Sequence, residues 1–209
     1  MSRHDLELST YPRRAQFDYF RSMAQPYVGV TVEMDITDLR ARQQREGRPF
    51  FLTILYLAGT AANHVPQLRQ RVRGDGIVAY DRCDTSHTVE RPDGTYCYCH
   101  VPACLPFRAY LPLAMEAHQA AKAGGSLTGG EGGESPLFVS TLPWISYTAL
   151  MQPTPFPADS NPRITFGGYH WAGERLLLPV TLLANHAGRR GSPGPILPGL
   201  GVRLRKAAG

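Results

Sequence analysis

From Leu176 to Val180 the chain runs through five apolar residues, and strand-like character continues to Ala184. A run this short and this uniformly apolar reads as a strand covered on both faces. It ends abruptly in Asn185-His186-Ala187-Gly188, so one histidine stands at the strand's end, followed by small residues. A strand aims a side chain rigidly, and small residues leave space beside it, which is the setting a catalytic imidazole needs. This segment demands flanking strands and a layer of helices, and the rest of the sequence supplies both.

Phe17, Phe20 and Met23 follow Pro12 at helical spacing, predicting a helix over 14–24. Val28 to Met34 alternates and reads as a strand. Asp35-Ile36-Thr37-Asp38 caps a helix to about Glu46, and Gly47 ends it. Pro49 opens a second helix to about Asn63, apolar on most sides and therefore buried. Gly74-Asp75-Gly76 and Pro92-Asp93-Gly94 read as turns, each between two short strands. Leu137 to Leu142, Arg163 to Tyr169 and Leu176 to Ala184 are further strands. Helices and strands mix without strict alternation, so the expected class is α+β, a two-layer sandwich of mixed β-sheet and helices. A single domain over 1–209 is expected. Residues 123–135 form a mobile Gly-rich loop without the Gly-Lys-Ser/Thr ending of a phosphate loop. Residues 192–209 form a Pro/Gly-rich tail, unsuited to a continuous helix.

Composition narrows the function classes. The net charge is +5 and arginine supplies nearly all the basic residues, with lysine only at Lys122 and Lys206. No basic stripe with interleaved aromatics is present, so nucleic acid is not an expected partner. No apolar run approaches the ~18 residues of a membrane span, and the N-terminus lacks a signal peptide's apolar core. A cytoplasmic protein without membrane contact is expected. Cys97 and Cys99 alternate on a strand and lack the knuckle spacing of a zinc site, so with Cys83 and Cys104 they read as free thiols, mostly buried, and no metal is expected. His87, His100 and His170 show no evident partner and are expected at the surface or in the core.

Several segments, in order, resemble the chloramphenicol acetyltransferase family over nearly the whole length. They are Tyr11-Pro12-Arg13-Arg14 with Phe17-Asp18-Tyr19-Phe20-Arg21, then Met34-Asp35-Ile36-Thr37-Asp38-Leu39, then Asn63-His64-Val65-Pro66-Gln67-Leu68-Arg69. Val139-Ser140-Thr141-Leu142-Pro143-Trp144 follows, and Thr165, Tyr169, Gly173, Pro179 and His186 fall in register. The last segment is a degenerate form of the family's His-His-x-x-x-Asp-Gly signature. Asn185 stands at the first histidine, His186 at the second, Arg190 at the aspartate and Gly191 at the glycine.

The resemblance implies an acyltransferase fold and a site at the subunit interface of a homotrimer. It implies His186 as general base toward a substrate hydroxyl, Ser140 as donor to the oxyanion, and Thr165 as holder of a supporting water, with acetyl-coenzyme A or another acyl thioester as acyl donor. Tyr19, Phe20, Tyr96, Tyr98 and Trp144 are candidate walls of the small-molecule pocket, Trp144 reading more readily as core. Asn185 reads as a cap of the turn after the strand. Tyr98 stands where the family has alanine and would crowd the usual substrate.

Two departures bear on the reaction. The family's brace between the aspartate and an N-terminal arginine becomes Arg190 opposite Arg13, two like charges that are not expected to pair. A lysine toward the cofactor's phosphate becomes Gly168, and a second basic position falls near Pro49, with Arg48 as a substitute. Two functions remain open. One is acyl transfer to a hydroxyl. The other is a repurposed, coenzyme A-independent enzyme that cyclises or moves a proton on a polyketide-like natural-product intermediate.

Overall fold

The computed structural model describes residues 2–124 and 135–187. The expected Gly-rich loop lies mostly outside these residues, and Arg190 and the tail lie wholly outside them. Fifteen elements follow in order: β1 (Arg3–Asp5), α1 (Arg14–Arg21), β2 (Tyr27–Asp35), α2 (Thr37–Arg45), α3 (Phe50–Asn63), a 3-10 turn (Pro66–Arg69), β3 (Gln70–Arg73), β4 (Gly76–Tyr80), β5 (Thr85–Glu90), β6 (Tyr96–Val101), α4 (Phe107–Gly124), β7 (Leu137–Leu142), β8 (Arg163–Gly167), β9 (His170–Ala172) and β10 (Arg175–Asn185).

The main sheet has strand order β2-β10-β8-β7-β5-β6, with β9 also pairing β10. β7 runs parallel to β5 and β8, and the other pairings are antiparallel, so the sheet is mixed. β10 lies between β2 and β8, which accounts for its nearly uniform apolar sequence. Side chains alternate across a strand. Val89, Val139, Ile164, Val180 and Leu182 take one face and join Leu39, Leu52, Leu55, Ala58, Tyr110 and Ala114 of the helices in one core. α3 presses closest: a Cβ on Gly59 would stand 2.9 Å from both Ala103 Cβ and Thr85 Cγ2. Only a residue without a side chain lets that helix approach so near.

A smaller sheet, β1-β4-β3, packs with α1. Phe17, Ile77 and Ala187 are buried together there, with Leu6, Tyr11, Phe20 and Val72 around them. Ala187, two residues past the end of β10, is seated in this second cluster.

The helix ends have identifiable causes. Asp35 Oδ1 accepts the Thr37 N–H at 3.0 Å and the Thr37 hydroxyl at 2.6 Å, opening α2. Gly47, at φ +64°, closes the turn beyond it. α1 stops at Arg21, three residues before the expected end, where the Ser22 hydroxyl donates to the Tyr19 carbonyl at 2.8 Å. The sequence patterns assigned no element to 107–124, yet α4 fills it. Pro112 inside the helix masks it, since proline removes one backbone donor.

Among the described residues no helix is long and apolar enough to cross a membrane, and no three metal-ligating side chains form a group. Cys83, Cys97 and Cys99 are buried free thiols, and Cys104 is exposed.

Candidate active site

On the sheet face turned away from the helices, strand register builds a row of hydroxyls. Ser140 pairs with Thr165, Thr165 with Thr181, and Thr181 with Thr31. In-register neighbours share a face, so the four side chains line up across four strands. Thr88 extends the row, its Oγ1 3.5 Å from Ser140 Oγ. The hydroxyls of Thr31 and Thr181 are 2.7 Å apart. Thr181 donates to the Tyr147 hydroxyl at 3.3 Å, and Tyr147 donates to the Thr165 carbonyl at 3.0 Å. Gln152 donates to Thr165 Oγ1 at 2.6 Å. Thr165 is therefore sealed, with 2% of its surface exposed, whereas Ser140 is only half-buried.

Aromatic rings stand beside Ser140. Tyr98 pairs with Thr88 on edge strand β6, and its ring lies 6.4 Å from that of Phe138. Tyr96, two residues earlier on the same face, meets Tyr98 edge-on at 6.1 Å. Burial pushes the Tyr98 hydroxyl pKa upward, so it stays protonated and able to donate near neutral pH. Trp144 is 74% exposed, which corrects its reading as core. The strand ends at Leu142, and the turn after it carries the indole outward.

The histidine end lies elsewhere. His186 N–H donates to the Pro26 carbonyl at 2.6 Å, extending the β10–β2 ladder by one bond. Its ring sits 4.2 Å from the Phe20 ring, and Phe20 meets Tyr19 edge-on at 5.1 Å. Ala187 is fully buried against Phe17 and Ile77. Asn185 caps the turn as the sequence led one to expect: its Oδ1 accepts the Ala187 N–H at 2.9 Å. Its Nδ2 donates to the Asp159 carbonyl at 2.8 Å. Thr181 precedes His186 by five residues, roughly 17 Å along an extended strand. One chain thus gathers Ser140, Thr165, Tyr96 and Tyr98 into one place and His186, Phe20 and Tyr19 into another.

Arg13 is half-buried near α1, and its Nη1 makes no hydrogen bond among the described residues. Whether it meets Arg190 falls outside those residues. Gly168 is closed to any side chain, because a Cβ there would stand 2.7 Å from the Pro143 carbonyl oxygen. Arg48 is engaged by Glu46 at 2.8 Å and stacks on Phe107. Tyr169, the residue after Gly168, meets a cation: Arg40 lies over the rings of Phe50 and Tyr169 at 5.2 and 5.6 Å.

Of His87, His100 and His170, two have partners that the sequence did not reveal. His170 meets Glu33 at 3.2 Å and the Ser146 hydroxyl at 3.0 Å. His87 is fully buried, and its Nε2 lies 3.1 Å from His118 Nδ1. Burial, with His118 and His100 nearby, pushes the His87 pKa down to about 3, so the ring is neutral. Gln152, Tyr147, Asp159 and Arg163 also went unread. Tyr147, Gln152 and Asp159 belong to an irregular Pro-rich stretch whose contacts carry no periodic signal, and Arg163 opens β8, where the strand pattern gives no sign of its ion pair.

The comparisons agree with this architecture. A sequence profile described as chloramphenicol acetyltransferase matches residues 1–192. Chloramphenicol acetyltransferase 3 of Escherichia coli is 24% identical over 184 residues, covering 87% of this chain and 86% of its own. A chloramphenicol acetyltransferase of Streptomyces acrimycini is 28% identical over 193 residues, covering 89% and 86%. A solved structure of a chloramphenicol acetyltransferase superposes with a TM-score of 0.87 at 21% identity, covering 100% of both chains. A dihydrolipoamide acetyltransferase of Azotobacter vinelandii superposes at 0.67 and 17% identity, covering 91% of this chain and 85% of its own, a likeness of fold.

Proposed function

The chain belongs to the chloramphenicol acetyltransferase family, and from that premise we propose that it moves an acyl group from a thioester to a hydroxyl of a small molecule. His186 takes the proton from the attacking hydroxyl, and Ser140 donates to the oxyanion that forms on the thioester carbonyl. The observation that carries this reading is Ser140 half-open on the helix-free face, beside Thr88, Tyr98 and Phe138. A pocket with apolar rings and a few aimed hydroxyls suits a small, partly aromatic alcohol. Thr165, held by Gln152, braces Ser140's neighbour strand and has little free surface for a water.

A second copy of the chain completes the site. The separation along β10 between the hydroxyl row and His186 supports a trimer in which the histidine of one subunit meets the Ser140 pocket of the next. Tyr19, Trp144, Met151 and Phe156 add exposed apolar surface for such contacts. Light scattering that found a stable monomer would remove this arrangement.

The donor reads as acetyl-coenzyme A. Gly168 offers no charge, but Arg40 between Phe50 and Tyr169 fits a phosphate next to an aromatic base. These three residues would hold the nucleotide end, and the thioester would supply the acyl group. The closed approach at Gly168 favours a second reading, in which coenzyme A is abandoned and His186 moves a proton in a cyclisation. Calorimetry with acetyl-coenzyme A separates them. Transfer predicts binding that Arg40→Ala weakens roughly tenfold to a hundredfold, the loss of one charged hydrogen bond. Absence of binding to folded protein would eliminate acetyl transfer.

A further inference from the structure

Asp159 and Arg163 form a two-pronged ion pair next to the histidine end. Arg163 Nη1 and Nη2 donate to the two carboxylate oxygens of Asp159, each at 2.8 Å. Nη1 also donates to the Asn161 carbonyl at 3.1 Å. Only 9% of Arg163 is exposed, and its guanidinium lies over the rings of Tyr27 and Phe138 at 5.7 and 5.4 Å. The Tyr27 hydroxyl donates to Asp159 Oδ1 at 3.1 Å. A paired, fork-shaped contact of this kind fixes orientation as well as position. The Asp159 carboxylate therefore takes three hydrogen bonds from two residues, although it lies in an irregular stretch.

What the clamp holds is informative. The Asp159 carbonyl accepts from Asn185 Nδ2, while Asn185 Oδ1 accepts from the Ala187 N–H. Tyr27, which grips Asp159, is also the ladder partner of Asn185. One carboxamide thus ties the residue before His186 to the residue after it and anchors both to a rigid ion pair. Ala187's apolar seat alone fixes position but leaves the turn's direction open. An asparagine meets this need because its planar carboxamide carries a donor on one atom and an acceptor on another, so it reaches both partners at once.

We infer that the Asp159–Arg163 pair, acting through the Asn185 carboxamide, fixes the His186 loop in the position that proton transfer requires. The inference rests on His186 being the base. Asp159, Arg163 and Asn185 are positioning residues, acting through the loop on an imidazole whose misplacement by about 1 Å costs on the order of 10²-fold in rate.

The test follows the full-length protein by NMR, through the His186 ring Cε1–H resonance and the amide exchange of His186 and Ala187. Asn185→Ala should speed Ala187 exchange roughly tenfold and shift the ring resonance, with the amides of Leu178 to Leu182 unchanged. Asn185→Asp keeps the acceptor for Ala187 N–H and loses the donor to Asp159. It should leave Ala187 protected and still shift the ring. Asp159→Asn should also shift the ring. If Asn185→Ala exposes every amide together, the nearly isosteric Asn185→Asp and Asp159→Asn decide the matter. Wild-type ring resonance in both would overturn the inference. These readouts need no substrate. Full kcat in a variant whose ring has shifted would therefore sink the base assignment and leave the clamp standing, whereas reduced kcat at unchanged KM supports both.

Discussion

The hydroxyl row and the histidine end are held by different means. Ser140, Thr165, Thr181 and Thr31 owe their alignment to the ladder of a covered sheet, in which every neighbour is fixed by backbone hydrogen bonds. His186 stands one residue past its strand. It is placed by one backbone bond to Pro26, a buried alanine and an asparagine carboxamide. The first half can lose a side chain and keep its geometry. The second depends on a few side chains, each of which matters.

The comparison breaks most sharply at His186. His186→Ala should lower turnover by about 10²–10⁴-fold, the usual worth of a general base, with the melting temperature unchanged. Steady-state rates on soluble, folded protein check this. Retained turnover would reduce the histidine end to structure. Ser140→Ala should cost less, about 10²–10³-fold in kcat, again without loss of stability, because the ladder does not use its hydroxyl.

A smaller effect concerns the core face behind the hydroxyl row, where a buried histidine responds to pH. His87 on β5, the residue before Thr88, holds its ring neutral with a pKa near 3, against about 6.5 when unfolded. The unfolded chain binds the proton first, so this contribution to stability is full above pH 6.5 and is lost as pH falls toward 3. Melting curves should drop by several degrees from pH 6.5 to 4, at about 2–4 °C per kcal/mol for a domain of this size. His87→Phe should flatten that slope. An unchanged slope would assign acid sensitivity to other groups.

Much of this was legible in the chain. The uniform apolar run of β10 announced a central strand. Gly74-Asp75-Gly76 and Pro92-Asp93-Gly94 announced their hairpins, and the short residues after Ala184 announced a capped turn at Asn185. Leu137–Leu142 was legible as a strand, and the structure then places Ser140 on the face opposite the core residue Val139. Other features had no local trace. α4 hides behind Pro112 and a narrow stripe of Tyr110, Ala114 and Ala121. β1 contains no apolar residue and exists only through its pairing with β4. His87 and His118 lie 31 positions apart on different elements, and Asp159 reaches Asn185 across 26. Such contacts come from tertiary packing, which no window of sequence displays.

In the proposed trimer the two halves meet only between copies of the chain. Co-expression of His186→Ala with Ser140→Ala tests this, using acetyl-coenzyme A with a small-molecule alcohol that the wild-type chain turns over. Each variant alone should be nearly inactive. The whole co-expressed population should regain about a quarter of wild-type turnover, the share of all interfaces that pair an intact His186 with an intact Ser140 under random assembly into trimers. Activity that stays at the level of the single variants would contradict the claim and return both residues to a site within one chain.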